Sequence, residues 1–245
     1  MVRILHFVQK PELRKYYIQN IKFELEVNEH IFPPSPHGSF FAENMKINVG
    51  ESVIDVGTGS GFLGILAAKL GGKVSATDND KDALDLAKNN AARNKVSIDF
   101  QQGEYFANFK KKFDVIVVNL PQEIVHKNYQ KAIGEQLTKS FDGGPDGNKQ
   151  VLQFLDLAKQ YMHNKSRVYI IVYTVTNYAQ TIKKIIENYN ARLVAFDTGP
   201  TKEFVENNIE WYKELNEVGK IKILKILRVG KKWMAHEYLF ELTLK

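Results

Sequence analysis

Val53-Ile54-Asp55-Val56-Gly57-Thr58-Gly59-Ser60-Gly61-Phe62-Leu63-Gly64 is the stretch that decides how this chain is read. Residues 52–56 are mostly apolar and β-branched, as in a strand covered on both faces. Gly57, Gly59 and Gly61 follow directly, and glycine lets the main chain approach a ligand with no Cβ in the way. Ile65-Leu66-Ala67-Ala68-Lys69-Leu70 continues as a helix, which Gly71-Gly72 ends. Strand, glycine turn and helix in that order form a site for a nucleotide-type cofactor.

The spacing departs from the dinucleotide fingerprint G-x-G-x-x-G. Here it is G-x-G-x-G-x-x-G, with an acid two residues ahead of the first glycine. A carboxylate so close to a helix N-terminus opposes a pyrophosphate. Asp55 therefore points to a cofactor whose portion at the turn is positive or neutral. The D-V-G-T-G-S-G run resembles the first motif of the class I S-adenosylmethionine-dependent methyltransferases. That resemblance implies S-adenosyl-L-methionine as cofactor, its amino-acid end held by the turn. A glycine turn without a ligand is the plain alternative.

Bulk properties narrow the class. The 245 residues, 44% hydrophobic, support one α/β domain with additions. No apolar run is long enough for a membrane span, and residues 1–7 do not read as a secretory leader, so a cytoplasmic protein is expected. With no cysteine there are no disulfides, thiolate nucleophiles or thiolate metal sites, and no residues stand at metal-ligand spacing around His37, which reads as a polar surface residue. The net charge of +6 weakly favours an acidic partner such as RNA.

Residues 1–50 form an N-terminal extension. Pro11 to Tyr17 reads as a helix start, and Phe23-Glu24-Leu25-Glu26-Val27 alternates like a strand. The arm from Ile31 to Phe41, with three prolines, is extended and leads into a short helix. It either covers the cofactor pocket or serves as a rigid connector.

Residues 51–245 read as the methyltransferase domain. Residues 73–78 form a second parallel strand ending in Asp78, whose carboxylate can accept both hydroxyls of a ribose. Asp80 caps a helix over 81–93 with Ala83, Leu84, Ala87 and Ala91 on one face. A third strand over 97–103 precedes Glu104, where the resemblance implies an acid that accepts from the adenine amino group; a solvated turn acid is the alternative. Thr58, Gly61, Asn79, Tyr105 and Asn119 complete the expected cofactor-binding set.

Residues 113–118 form a fourth buried strand, and Asn119-Leu120-Pro121-Gln122 sits at its carboxyl end, where open α/β sheets place their chemistry. This turn resembles the N-P-P-Y motif of methyltransferases that modify planar nitrogens. An asparagine oxygen and the next carbonyl can accept two N–H bonds and orient the nitrogen for attack. Asn119 and Leu120 take those parts, with Pro121 stiffening the turn. Gln122 replaces the aromatic residue and could hydrogen-bond an amide acceptor. N-L-P-Q is also similar to a segment of plant methionine S-methyltransferases, which leaves a small sulfide open as acceptor. Gly143-Gly144-Pro145-Asp146-Gly147 and the P-P-S-P-H-G-S arm are similar to the HemK-type glutamine methyltransferases, which implies a protein glutamine as acceptor.

A loop over 123–149 and a helix over 148–163 follow. A fifth strand spans 167–174; Asn177 then caps a helix with Ile182, Ile185 and Ile186 on its buried side. A sixth strand over 191–197 and a reversed last strand over 236–244 complete the expected fold. That fold is a Rossmann-like, seven-stranded, mostly parallel sheet with helices on both faces. An insertion at about 201–235 contains one amphipathic helix over 202–218. Residues 220–232 then hold six basic residues and no acid, as an RNA-facing surface or as a half-buried element with solvated lysines. The open alternatives are an RNA base amine as acceptor, with Phe40, Phe41 or Tyr129 stacking on the base, and a non-catalytic accessory subunit.

Overall fold

The structure, a computed structural model, describes residues 10–29, 31, 33–133, 138–225 and 233–245. Its main sheet runs in the order β5-β4-β3-β6-β7-β10-β8. The strands are β3 (Ser52–Val56), β4 (Lys73–Asp78), β5 (Ile98–Gln102), β6 (Phe113–Val118), β7 (Met162–Tyr173), β8 (Tyr189–Pro200) and β10 (Trp233–Leu244). The neighbouring pairs from β5 to β7 are parallel, and β10 lies antiparallel between β7 and β8. The fold is thus the Rossmann-like α/β architecture expected, with its last strand reversed.

Alternation along each strand feeds two cores. Val53, Val115, Val117, Tyr169 and Ile171 face one side, against α1 (Pro36–Asn44), α2 (Phe62–Lys69) and the end of α3 (Lys81–Arg93). Ile54, Ile116, Val118, Val168 and Ile170 face the other, against α5 (Lys149–Ala158) and α6 (Tyr178–Asn188). The 123–149 loop contains a helix of its own, α4 (Lys127–Ile133).

Several expectations are corrected. Residues 11–17 are not a helix: β1 (Glu12–Ile18) pairs with β2 (Ile21–Val27) in an antiparallel hairpin. Gln19 and Asn20 both take positive φ, the pairing that a two-residue turn needs to match strand twist. Tyr16 then stacks on Phe23 and meets Phe62 of α2 edge-on. The helix expected to 163 stops at Ala158, and β7 begins at Met162. A register shift there seats the polar residues 163–166, and Ser166 donates to the Phe113 carbonyl. Ile186 is exposed, because a 100° step turns it away from the face shared by Ile182 and Ile185.

The single helix expected over 202–218 is two, α7 (Glu203–Glu206) and α8 (Ile209–Glu217), broken at Asn207-Asn208. The basic stretch opens with β9 (Ile223–Lys225), which pairs with β10 beyond the end of β7. Residues 226–232 of that stretch, residues 1–7 and Phe32 of the arm lie outside the described residues.

Two asparagines of α3 anchor the hairpin. Asn90 accepts from Glu26 N and donates to the Glu26 and Ser60 carbonyls, at 2.7–3.0 Å. Asn94 accepts from Glu24 N and donates to the Glu24 carbonyl. One helical turn thus matches two strand residues, and the side chains stand in for a neighbouring strand. Asn90→Ala leaves the Glu26 N–H and two carbonyls without partners. It should cost about 1–3 kcal/mol and speed hydrogen exchange across β2; wild-type stability with unchanged exchange would refute the anchoring role.

Candidate active site

The carboxyl ends of β3, β4 and β6 meet at one cavity of about 1080 Å³. Asp55, Gly57, Thr58, Gly59, Asp78, Asn79, Glu104, Tyr105, Asn119, Leu120 and Pro121 all line it. Gly61 is not part of that lining; at φ 86° it caps α2. Arm residues Ile31, Pro33, Pro34, Ser35 and Gly38 form part of the wall.

Two acids grip the glycine turn. Asp55, only 2% exposed, accepts from Thr58 Oγ1 at 2.6 Å and Gly64 N at 2.9 Å through one oxygen. Asp78 accepts from Gly59 N at 2.8 Å and Asp80 N at 3.0 Å. Gly57 N and Thr58 N both donate to the Thr77 carbonyl. Burial pushes the Asp55 carboxyl up to about 6 against the pull of its two hydrogen bonds, and the nearby Asp78 adds to the rise. Asp78 is raised as well, again through burial.

The wall after β5 is held by Tyr105. Its φ is 49°, its carbonyl accepts from Thr77 Oγ1, and its hydroxyl donates to Gln153 at 2.8 Å. Glu104 is exposed at the cavity rim.

The turn after β6 is braced from three directions. A Cβ at Gly57 would lie 3.0 Å from Leu120 Cδ2, so the two turns touch. Gln122 is buried; it donates to the Ile171 carbonyl and accepts from Tyr173 N, each at 3.0 Å. This corrects its expected role: its amide ties the turn to β7 instead of being offered to an acceptor. The glycine loop supplies the third brace. A Cβ at Gly143 would meet the Gly147 oxygen at 2.2 Å, and one at Gly147 the Gln122 oxygen at 2.8 Å. Asn119, by contrast, is exposed, and its side chain makes no hydrogen bond among the described residues.

Beyond this turn lies a second cavity of about 100 Å³, sharing Asn119, Leu120 and Pro121 with the first. Sequence reading missed its other walls. His37 is not a surface residue: its Nδ1 pairs with Glu237 Oε2 at 2.8 Å, across 200 residues of chain. Tyr173 ends β7, and Lys202 pairs with Glu123. Nothing local marks these residues, because each gains its meaning from a partner far away in sequence.

Comparison with known proteins sets this geometry in context. Residues 37–139 match the family model of the ribosomal protein L11 methyltransferases. A Methanocaldococcus jannaschii protein N5-glutamine methyltransferase, its own assignment provisional, is 30% identical over 169 residues, or 69% of this chain and 84% of that protein. The release factor glutamine methyltransferase of Streptococcus pneumoniae is 35% identical over 104 residues, 40% of this chain and 37% of that one. Among solved structures, the Thermus thermophilus 16S rRNA N2 G1207 methyltransferase, in complex with AdoMet and guanosine, shares the fold at TM-score 0.58 and 13% identity. That match covers 97% of this chain and 51% of the RNA enzyme.

Gly64 offers a direct test of the acid-braced turn. Glycine to alanine inside a helix ordinarily stabilises by roughly 1 kcal/mol. Here the new Cβ would stand 3.0 Å from Asp55 Oδ2 and push on the carboxylate that holds the turn. Gly64→Ala should therefore destabilise, by about 1–3 kcal/mol in a denaturant titration. A gain in stability would show that Asp55 does not brace the turn.

Proposed function

Because this chain belongs to the class I S-adenosylmethionine-dependent methyltransferases, we propose that it methylates an amide or amino nitrogen of a protein, with glutamine as the acceptor. The observation that carries the reading is Asn119. It stands exposed at the tip of β6, without a side-chain hydrogen bond among the described residues, on a turn where Leu120 packs on Gly57 and Gln122 is bonded to β7. The archaeal relative covers most of this chain and carries a glutamine N5 assignment. The release-factor enzyme supports the same acceptor through a shorter segment.

The residues present suit the cofactor. Gly57 and Gly59 leave the turn without side chains, and a Cβ at Gly59 would meet nothing within 4 Å, so a ligand can lie against it. Asp55 lies below the turn as a counter-charge, and Asp78 at the tip of β4 can take ribose hydroxyls. Asn79, Glu104 and Tyr105 line the adenine end. Ile31, Pro33, Pro34, Ser35 and Gly38 serve as the cover. The cofactor supplies a methyl group on a positively charged sulfur that departs as a neutral thioether.

The chain's own part is to orient the acceptor. The Asn119 side-chain oxygen and the Leu120 carbonyl accept the two N–H bonds of the incoming nitrogen, and Pro121 limits how far the turn can move. That arrangement turns the lone pair toward the cofactor end of the cavity. The proton released after transfer passes to water, so no side chain is assigned as base.

Labelled methyl transfer into extract proteins, followed by peptide mapping, tests the acceptor. Label on glutamine is expected; label lost on RNase treatment would move the acceptor to RNA. Asn119→Ala should lower transfer by at least about 100-fold and leave cofactor affinity within about twofold. Full activity in that variant would sink the amide clamp.

A pH effect follows from Asp55. A cationic ligand binds best to the ionised carboxylate, so affinity should hold above the folded value of about 6 and fall below it. Calorimetric titration from pH 7 to 5 should show a loss of about tenfold in wild type. Asp55→Asn should bind weakly and with little pH dependence; a flat wild-type profile would remove Asp55 from the cofactor's electrostatics.

A further inference from the structure

Two residues that line the 100 Å³ cavity beyond the Asn119 turn carry polar atoms that nothing among the described residues satisfies. Tyr173 Oη and Glu123 Oε2 are both buried and without a hydrogen-bond partner. Tyr173 is 5% exposed, Glu123 5%. Buried polar groups are nearly always paired, so an orphaned phenol on a residue lining a small cavity indicates a ligand that can pair with it.

The surroundings restrict what that ligand can be. Glu123 Oε1 is taken by Lys202, and Glu237 Oε2 by His37. The His37 ring lies against the Tyr173 ring at 4.7 Å, which fixes the phenol. Tyr173 N donates to Gln122, so the same residue is joined to the Asn119 turn through the backbone. Burial and the two carboxylates keep the phenol proton in place. The hydroxyl is therefore a donor in need of an acceptor.

We propose that this cavity is the acceptor subsite, built for a primary carboxamide, and that the Tyr173 hydroxyl donates to the carboxamide oxygen while Asn119 and Leu120 hold its nitrogen. The inference rests on the amide reading above and adds the group that reads the other end of the amide. A carboxamide carries an oxygen acceptor beside its N–H donors. An alkylammonium carries donors only and would leave Tyr173 without an acceptor. A carboxylate has no N–H for the clamp. Glu123 and Lys202 form an ion pair in the wall of the cavity.

The test compares wild type with Tyr173→Phe on two hexapeptides that differ only in glutamine against lysine at one position. Labelled transfer is measured, together with peptide binding to protein loaded with S-adenosylhomocysteine. Phenylalanine keeps the ring and its contact with His37. The variant should lose about 10- to 100-fold in kcat/KM on the glutamine peptide, keep its cofactor affinity, and lose glutamine-over-lysine preference by the same factor. A merely structural defect would lower both peptides alike and leave the preference standing, which overturns the role given to Tyr173 while the glutamine reading survives. Wild-type transfer to lysine and not glutamine overturns both. Failure of the glutamine peptide either to be methylated or to bind overturns the carboxamide subsite.

Discussion

A single buried oxygen of Asp55 holds the Thr58 hydroxyl and the Gly64 N–H together. Much of the site depends on this. The bond to Thr58 folds the glycine turn back over the end of β3, and the bond to Gly64 locks that turn to the first turn of α2. Gly64 has no side chain because its Cβ would press on the carboxylate. Burying an acid so deeply is unfavourable, and burial raises the protonation midpoint of Asp55. A cationic ligand nearby would relieve it, so the same arrangement that taxes the empty turn favours the filled one.

The turn after β6 shows how a short motif becomes rigid without two prolines. Leu120 rests on Gly57, Gln122 is bonded to β7 on both ends of its amide, and the 143–147 loop fits against Gln122 where no Cβ could pass. These contacts engage Leu120 and Gln122 and leave the Asn119 amide without a hydrogen bond among the described residues. Rigidity around one unspent amide is what a clamp for a planar nitrogen requires, since orientation lost to motion is catalysis lost.

The additions at the two ends of the chain converge on this region. The hairpin is tied to α3 by Asn90 and Asn94, and the arm that follows delivers Ser35 and His37 to the wall of the smaller cavity. From the other direction, Lys202 and Tyr212 reach the segment after the Asn119 turn, pairing with Glu123 and the Ile124 carbonyl. The open α/β sheet brings its chemistry to the carboxyl ends of its strands, and the extra segments shape the walls there.

The sequence by itself determined the parallel sheet, the glycine turn with its two acids, and the Asn119 turn. Each is written in local pattern: β-branched runs for β3 and β6, glycines at fixed offsets, an acid at the tip of β4. The same locality explains the misreadings. Glu12 to Ile18 carries too weak an alternation to declare a strand before its partner and the Gln19-Asn20 turn are seen, and β7 hides its start behind the bulged residues 163–166. Only the tertiary structure decided that Gln122 is a brace, that His37 meets Glu237, and that Tyr173 and Glu123 bring unpaired polar atoms to one cavity. Those facts depend on contacts across 50 to 200 residues of chain. A hydrogen bond of that kind leaves no periodic trace in sequence, because neither partner's neighbours need to change for it to form.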